Sequence, residues 1–264
     1  MIDLAKGGRP DLYFIHGMWS TPAVWDGLRA RFEAKGYATY APALPLHTNR
    51  RADGPPPELA VLGLRDYVEF LVDGVSRLPA PPVIVGHSLG GFLAQAVAAR
   101  VEPAGVVLLS PAATAQTSAA GLAPLKTMWP ILSKWGWWKQ ATMIDAASAR
   151  WGIFNEVPPE IAEVEIEALV WDSGRVLADL SAPWAVRNGA ATVDYASLDC
   201  PALIVSGNAD RITPTTIARA TARRWTGPID YRELPGVGHW LFHAPVVERV
   251  AALIEAWLPA RVSG

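Results

Sequence analysis

A serine hydroxyl becomes a useful nucleophile only when a base takes its proton and a carboxylate holds that base in the right tautomer. The chain carries such a set in the order serine, acid, histidine: Ser88, Asp210 and His239. Ser88 lies in Gly86-His87-Ser88-Leu89-Gly90-Gly91, between the apolar run Pro82 to Val85 and the small-residue run Phe92 to Ala99. Those runs predict a strand, a sharp turn and a helix. Such an elbow thrusts the serine Oγ above the sheet on a strained backbone, and only residues without bulk fit two positions to either side. Gly86 and Gly90 satisfy that demand, while Leu89 offers its backbone N–H at the helix N-terminus as an oxyanion donor.

Asp210 follows the apolar run Ala202 to Val205 in Gly207-Asn208-Ala209-Asp210-Arg211-Ile212-Thr213-Pro214, and His239 follows a last short strand on the turn Pro235-Gly236-Val237-Gly238. Both therefore fall at the carboxyl edge of a parallel sheet, where ligands bind in such folds. Taken singly, Asp210 could be a helix cap and His239 a loop histidine; their order and strand-end placement favour chemistry. Asp194 is a reserve acid, Asp199 lies at the wrong strand end, and Asp230 is structural. His243 could support His239, His87 packs or hydrogen-bonds beside the nucleophile, and His16 anchors its loop. A second oxyanion donor should come from the loop after the first buried strand, His16-Gly17-Met18-Trp19: Gly17 allows a tight turn and leaves the Met18 N–H free. The Met18 and Trp19 side chains are candidates for a pocket wall.

Residues 11–15, 37–41, 82–85 and 105–109 are nearly continuous apolar strands, with helices over about 24–35, 62–78 and 92–99 between them. Parallel strands covered on both faces read this way. The rhythm stops at about Ala112 and resumes near Asp199 with a strand at 202–207, a helix over 214–225, a strand at 229–234 and a helix over 245–257. The intervening stretch has helical patterns and no convincing strand. Core segments 1–111 and 199–264 therefore flank a helical insertion, 112–198. Seven of the twelve tryptophans fall in it: Trp129, Trp135, Trp137, Trp138, Trp151, Trp171 and Trp184. Some would hold a small helical unit together; Trp129, Trp135, Trp137 and Trp138 are also candidates to line an apolar pocket above Ser88, and Trp129, Trp137 and Trp138 join Trp19 as expected substrate-binding residues. Glu160, Glu163 and Glu167 form an exposed helix face.

At 264 residues the chain suits one α/β domain with an insertion, and its formal net charge of −2 gives no footprint for nucleic acid. The first ten residues lack a secretory signal and no apolar run is long enough to span a bilayer, so no membrane partner is expected. Cys200 is the single cysteine; with no intramolecular disulfide possible, a cytoplasmic setting follows, and no elbow surrounds this thiol. There is no His-Glu-x-x-His and the five histidines are scattered, so neither a metal site nor another cofactor is expected. Oligomeric state is not encoded in any motif.

With these residues in place, the chain resembles the α/β-hydrolase fold superfamily over essentially its full length: His16-Gly17 with Trp25, the Gly-His-Ser-Leu-Gly-Gly elbow, the Gly207 to Asp210 turn, and Gly238-His239-Trp240 before Pro245. The resemblance implies a central, mostly parallel eight-stranded sheet flanked by helices, with a helical cap inserted before the strand that bears the acid. Serine at the elbow is similar to the esterase, lipase and thioesterase branch; dehalogenases and epoxide hydrolases carry aspartate there. One departure is Ala43-Leu44-Pro45-Leu46-His47-Thr48, where many relatives have Gly-His-Gly. The expected activity is hydrolysis of carboxylic esters of a small to medium apolar substrate through an acyl-enzyme on Ser88. Lactonase, thioesterase, amidase and carbon–carbon bond hydrolase activities use the same residues, and a non-hydrolytic ligand receptor is the alternative from another class.

Overall fold

The structure, a computed structural model, describes residues 9–48, 50–118, 121–183 and 189–262. Trp184 and the start of the chain, Met1 to Gly8, lie outside them. Six strands form one all-parallel sheet: β1 (Leu12–Ile15), β2 (Thr39–Tyr40), β3 (Val83–His87), β4 (Gly105–Leu109), and the two late strands Ala202–Gly207 and Ile229–Leu234. The spatial order is β2, β1, β3, β4, then the two late strands. Among the described residues this sheet has six strands, against the eight implied by the resemblance.

Because successive side chains of a strand point to opposite faces, each buried strand feeds two cores. Tyr13, Ile15, Ile84, Val106, Leu108 and Ile204 pack toward α2 (Leu64–Ser76) and α3 (Leu89–Val101). Phe14, Val83, Val85, Val107 and Leu203 pack on the other face, toward α1 (Asp26–Glu33) and the carboxyl-terminal helix Val246–Arg261. Helices on both faces bury every residue of β1, β3, β4 and the strand Ala202–Gly207, which is why these four read as nearly unbroken apolar runs, while Tyr40 on β2 and Arg232 in the last strand stay exposed.

Between β4 and the strand at Ala202 the chain forms α4 (Leu122–Leu132), α5 (Ala146–Gly152), α6 (Pro159–Glu167) and α7 (Gly174–Ser181). It also forms a two-stranded antiparallel ribbon, β5 (Ala141–Thr142) and β6 (Asp172–Ser173), which the sequence did not reveal. Two residues are too few for any period to register. The late strands are β7 (Ala202–Gly207) and β8 (Ile229–Leu234), and the helices that follow them are α8 (Thr215–Arg224) and α9 (Val246–Arg261). A third apolar cluster joins the inserted helices to the sheet edge: Trp19 and Trp240 from the core pack with Ile131, Ile153, Phe154 and Ile166. Glu160, Glu163 and Glu167 are exposed on α6, and Glu163 pairs with Arg150.

Candidate active site

The sheet order reverses between β1 and β3, and the loops leaving these two strands carry Met18 and Ser88. The elbow is built as its glycines require. A Cβ on Gly86 would stand 2.1 Å from the Gly90 carbonyl oxygen, and one on Gly90 would stand 2.0 Å from that of Ile15. Ser88 itself takes φ 55° and ψ −120°, a left-handed conformation that costs a non-glycine residue on the order of 1–3 kcal/mol. Its own backbone bonds hold it there: Ser88 N–H donates to Leu109 at 3.0 Å, and its carbonyl accepts from Gly91 and Ala112, each at 2.8 Å.

Asp210 leaves β7 and does two things at once. One oxygen, Oδ1, accepts the backbone N–H groups of Ile212 and Thr213, each at 2.8 Å, the turn-capping role open to any aspartate here. The other, Oδ2, lies 2.8 Å from His239 Nδ1. Thr213 Oγ1 is 2.8 Å from the same Oδ2 and 3.0 Å from the Ser110 carbonyl, with one proton to give to one of them. A carboxylate acceptor assigns the Nδ1–H tautomer to His239 and leaves Nε2 with a lone pair. Burial alone would raise the Asp210 carboxyl; the charge of His239 and the bonds from His239 and Thr213 outweigh it and hold the group below the ordinary aspartate range. His87, on the strand side of Ser88, lies with Nε2 3.0 Å from the His239 carbonyl oxygen and so steadies the His239 backbone. Burial, then His239, drives the His87 pKa down to about 3, so it stays neutral.

Ser88, His239, Met18 and Leu89 all open into one cavity of about 400 Å³. Among the described residues, neither the Met18 nor the Leu89 backbone N–H donates to a protein acceptor. The rest of the wall is mainly apolar: Trp19 and Trp240 from the core, and Met128, Leu132, Leu169 and Leu177 from the inserted segment. His16 anchors the first loop as its position suggested. It accepts the Leu44 N–H at Nε2 (3.0 Å) and stands 2.9 Å from the Gly17 carbonyl at Nδ1.

The expected substrate-binding tryptophans of the insertion are elsewhere. Trp129 is 59% exposed and Trp135 90% exposed, and neither they nor Trp137 and Trp138 line the cavity. On α4 the residues that line the cavity are Pro124, Leu125, Met128 and Leu132; Trp129, one turn beyond Leu125, which is itself 47% exposed, is turned about 100° from Met128 and lies outside the lining. Trp137 and Trp138 stack edge to face with centroids 5.9 Å apart, and Trp137 packs against the third apolar cluster. Ring size does not mark the lining of this cavity: on α4 the smaller apolar side chains face it.

Other candidates resolve on contacts. Asp194 caps Ala196 and Ser197 on the surface, and Asp230 ties β8 to α9 through Arg261 at 2.9 Å. His243 is buried with neither Asp210 nor His239 as a partner. Burial, then Asp199, pushes the Cys200 thiol up to about 12, leaving it inert. Thr213, three residues beyond the acid, is the partner that the sequence did not single out.

Over residues 12–253 the chain matches the model of the alpha/beta hydrolase family. It belongs to that family. Among curated proteins this hydrolase is 25% identical over 258 residues to a pyrethroid hydrolase of Sphingobium wenxiniae, covering 93% of this chain and 85% of that one. It is also 25% identical over 255 residues to a monoacylglycerol lipase of Mycolicibacterium smegmatis, covering 92% and 85%. Among solved structures, a pyrethroid hydrolase of Sphingobium faniae superposes with a TM-score of 0.67 at 20% identity, over 97% of this chain and 99% of that one. At that identity the superposition establishes the fold. As an alpha/beta hydrolase with hydrolase, esterase and lipase relatives, the chain is an enzyme. Among the described residues no helix is long and apolar enough to cross a membrane.

Proposed function

We propose that the chain is a serine hydrolase that cleaves carboxylic esters of small to medium apolar substrates, with Ser88, His239 and Asp210 as its triad and residues 112–198 as a cap over the site. One observation carries this: a serine held at positive φ faces the same apolar cavity as a histidine whose far nitrogen meets a buried carboxylate. His239 Nε2 takes the Ser88 proton as Oγ attacks the ester carbonyl carbon. The carbonyl π pair moves onto oxygen, where the Met18 and Leu89 N–H groups stabilise it. Collapse re-forms the carbonyl and expels the alcohol, which receives the proton from His239. Water, deprotonated by the same nitrogen, then releases the acid and restores Ser88. The pyrethroid hydrolase, esterase/lipase and monoacylglycerol lipase names of the relatives support the ester as the bond cleaved.

Labelling with a fluorophosphonate, followed by steady-state turnover of a panel of esters, lactones, thioesters and amides of graded chain length, tests the proposal. Ser88 should be the labelled residue and apolar esters the best substrates. Labelling at another residue overturns the nucleophile, a thioester or amide as best substrate overturns the bond assigned, and absence of multiple turnover favours a receptor.

A further inference from the structure

The sequence departure at Ala43 to Thr48 places a histidine, His47, in a buried cluster that the hydrolytic chemistry above does not use. His47 Nε2 stands 3.0 Å from Asp172 Oδ2, and neither side chain is exposed at all. Asp172, on β6 of the inserted segment, reaches across to the core. Its Oδ2 accepts the backbone N–H of Trp19 at 3.1 Å, and its Oδ1 accepts the Tyr67 hydroxyl at 2.9 Å and the N–H of its neighbour Ser173 at 2.6 Å. Two further bonds converge on the same residue. Val170 N–H donates to the Trp19 carbonyl at 2.9 Å, and Trp19 Nε1–H donates to Thr142 on β5 at 3.4 Å. Trp19 needs this grip because its φ is +57°, a region that a bulky residue enters only when its surroundings over-determine it.

The clamped N–H closes the Met18–Trp19 peptide, and the Met18 N–H, the proposed oxyanion donor, lies one peptide earlier in the same turn. We propose that Asp172 is a positioning residue for the oxyanion hole: by holding the Trp19 N–H it fixes the turn that aims the Met18 N–H, so that the inserted segment completes the site as well as roofing it. The inference rests on the hydrolase function proposed above and adds to it a residue far from the reacting atoms in sequence. An ionised carboxylate cut off from water needs a counter-charge and a full set of donors. His47, when protonated, supplies the first, and Tyr67, Trp19 and Ser173 together supply the second.

Asp172→Asn is the decisive variant. A carboxylate accepts on both oxygens, whereas in the amide the NH₂ takes the Oδ2 position, because His47 Nδ1–H faces the Pro45 carbonyl at 3.0 Å and the neutral ring then offers a lone pair at Nε2; the Trp19 N–H loses its acceptor. The expected result is a kcat at least tenfold and up to about 10³-fold lower, the upper end being the loss of one oxyanion donor, with KM within threefold of wild type. Affinity for a trifluoromethyl ketone, whose tetrahedral adduct carries the oxyanion, should fall in proportion to kcat/KM. Affinity for an ether of the same chain length, which has no carbonyl, should not change. A merely structural contact would move KM and ether binding with kcat, and that pattern overturns the proposal, as does a folded Asp172→Asn variant with kcat within twofold of wild type. If Asp172→Asn does not fold, Tyr67→Phe carries the test by removing one donor to Oδ1 while keeping the ring. A three- to tenfold loss of kcat matched by the ketone supports the assignment, and a kcat within twofold overturns it. Wild-type protein without ester turnover would instead overturn the hydrolase function and this proposal together.

Discussion

Replacing Asp210 by Asn changes one atom, and the local hydrogen bonds fix which way the new amide must lie. Oδ1 accepts two backbone N–H groups, from Ile212 and Thr213, at 2.8 Å each. The amide oxygen must stay there, because NH₂ would face two donors with nothing to accept. The NH₂ group then occupies the Oδ2 position, 2.8 Å from His239 Nδ1. A donor at that distance selects the tautomer with a lone pair on Nδ1 and the proton on Nε2, and an Nε2–H cannot take the proton of Ser88. The variant keeps its fold and loses its base. In serine proteases the same exchange lowers kcat about 10⁴-fold, equivalent to about 5.4 kcal/mol of transition-state stabilisation, and a loss of that order is expected here. Steady-state hydrolysis of a p-nitrophenyl ester at pH 7.5, with near-ultraviolet circular dichroism and thermal unfolding as fold controls, measures it. Folded Asp210→Asn protein with kcat/KM within tenfold of wild type would refute the tautomer logic. So would finding that Asp194→Asn, at a surface cap, is the crippling change.

Ser88→Ala should abolish fluorophosphonate labelling and lower turnover as far as the Ser88→Ala/His239→Ala double variant does, because residues that act as one unit do not add; additive losses measured by kcat would break the unit apart. Each CH₂ that a substrate chain adds to the apolar cavity should raise kcat/KM about fourfold, from about 0.8 kcal/mol per methylene, until the cavity of about 400 Å³ is full. Leu177→Phe should move that cutoff to shorter chains and Trp129→Ala should leave it in place, as a chain-length series would record. Burial pushes both His16 and His87 down to about 3, with His47 and His239 respectively as the next cause. Because the unfolded chain protonates these rings first, at about 6.5, stability should fall as pH drops from about 6.5 toward 3, on the order of 1.4 kcal/mol per pH unit for each ring. Asp210 and Asp172, held below the ordinary carboxyl range, add losses of the same sign below about pH 4. Burial alone would lower His47, but the attraction of Asp172 and the ring's polar contacts with Asp172, Pro45 and Leu44 together raise it, so its contribution is full below about 6.5 and is lost as pH rises through its folded value. Urea unfolding from pH 4.5 to 7.5 should show His87→Gln with a shallower acid slope than wild type, and an identical slope would place the His87 titration elsewhere.

The sequence by itself determined what depends on neighbours along the chain. Val83 to Gly91 specifies strand, turn and helix through burial and the absence of two Cβ atoms, and the structure returns β3, Ser88 at positive φ and α3 in that place. The strand-end positions of Asp210 and His239 were legible for the same reason, since a parallel sheet delivers every strand's carboxyl end to one edge. The 2.8 Å contact between Asp210 and His239 joins residues 29 apart, and what made it foreseeable was the shared sheet edge. Tertiary structure alone decided the rest. Trp129 and Met128 are adjacent and both apolar, yet one faces water and the other the cavity, because a helix turns about 100° per residue and the core lies on one side only. Asp172 meets the Trp19 N–H across 153 positions, through a ribbon of two-residue strands too short to leave a period. Contacts between segments are fixed by packing in three dimensions, and a single chain of letters carries no coordinate for the distance between its ends.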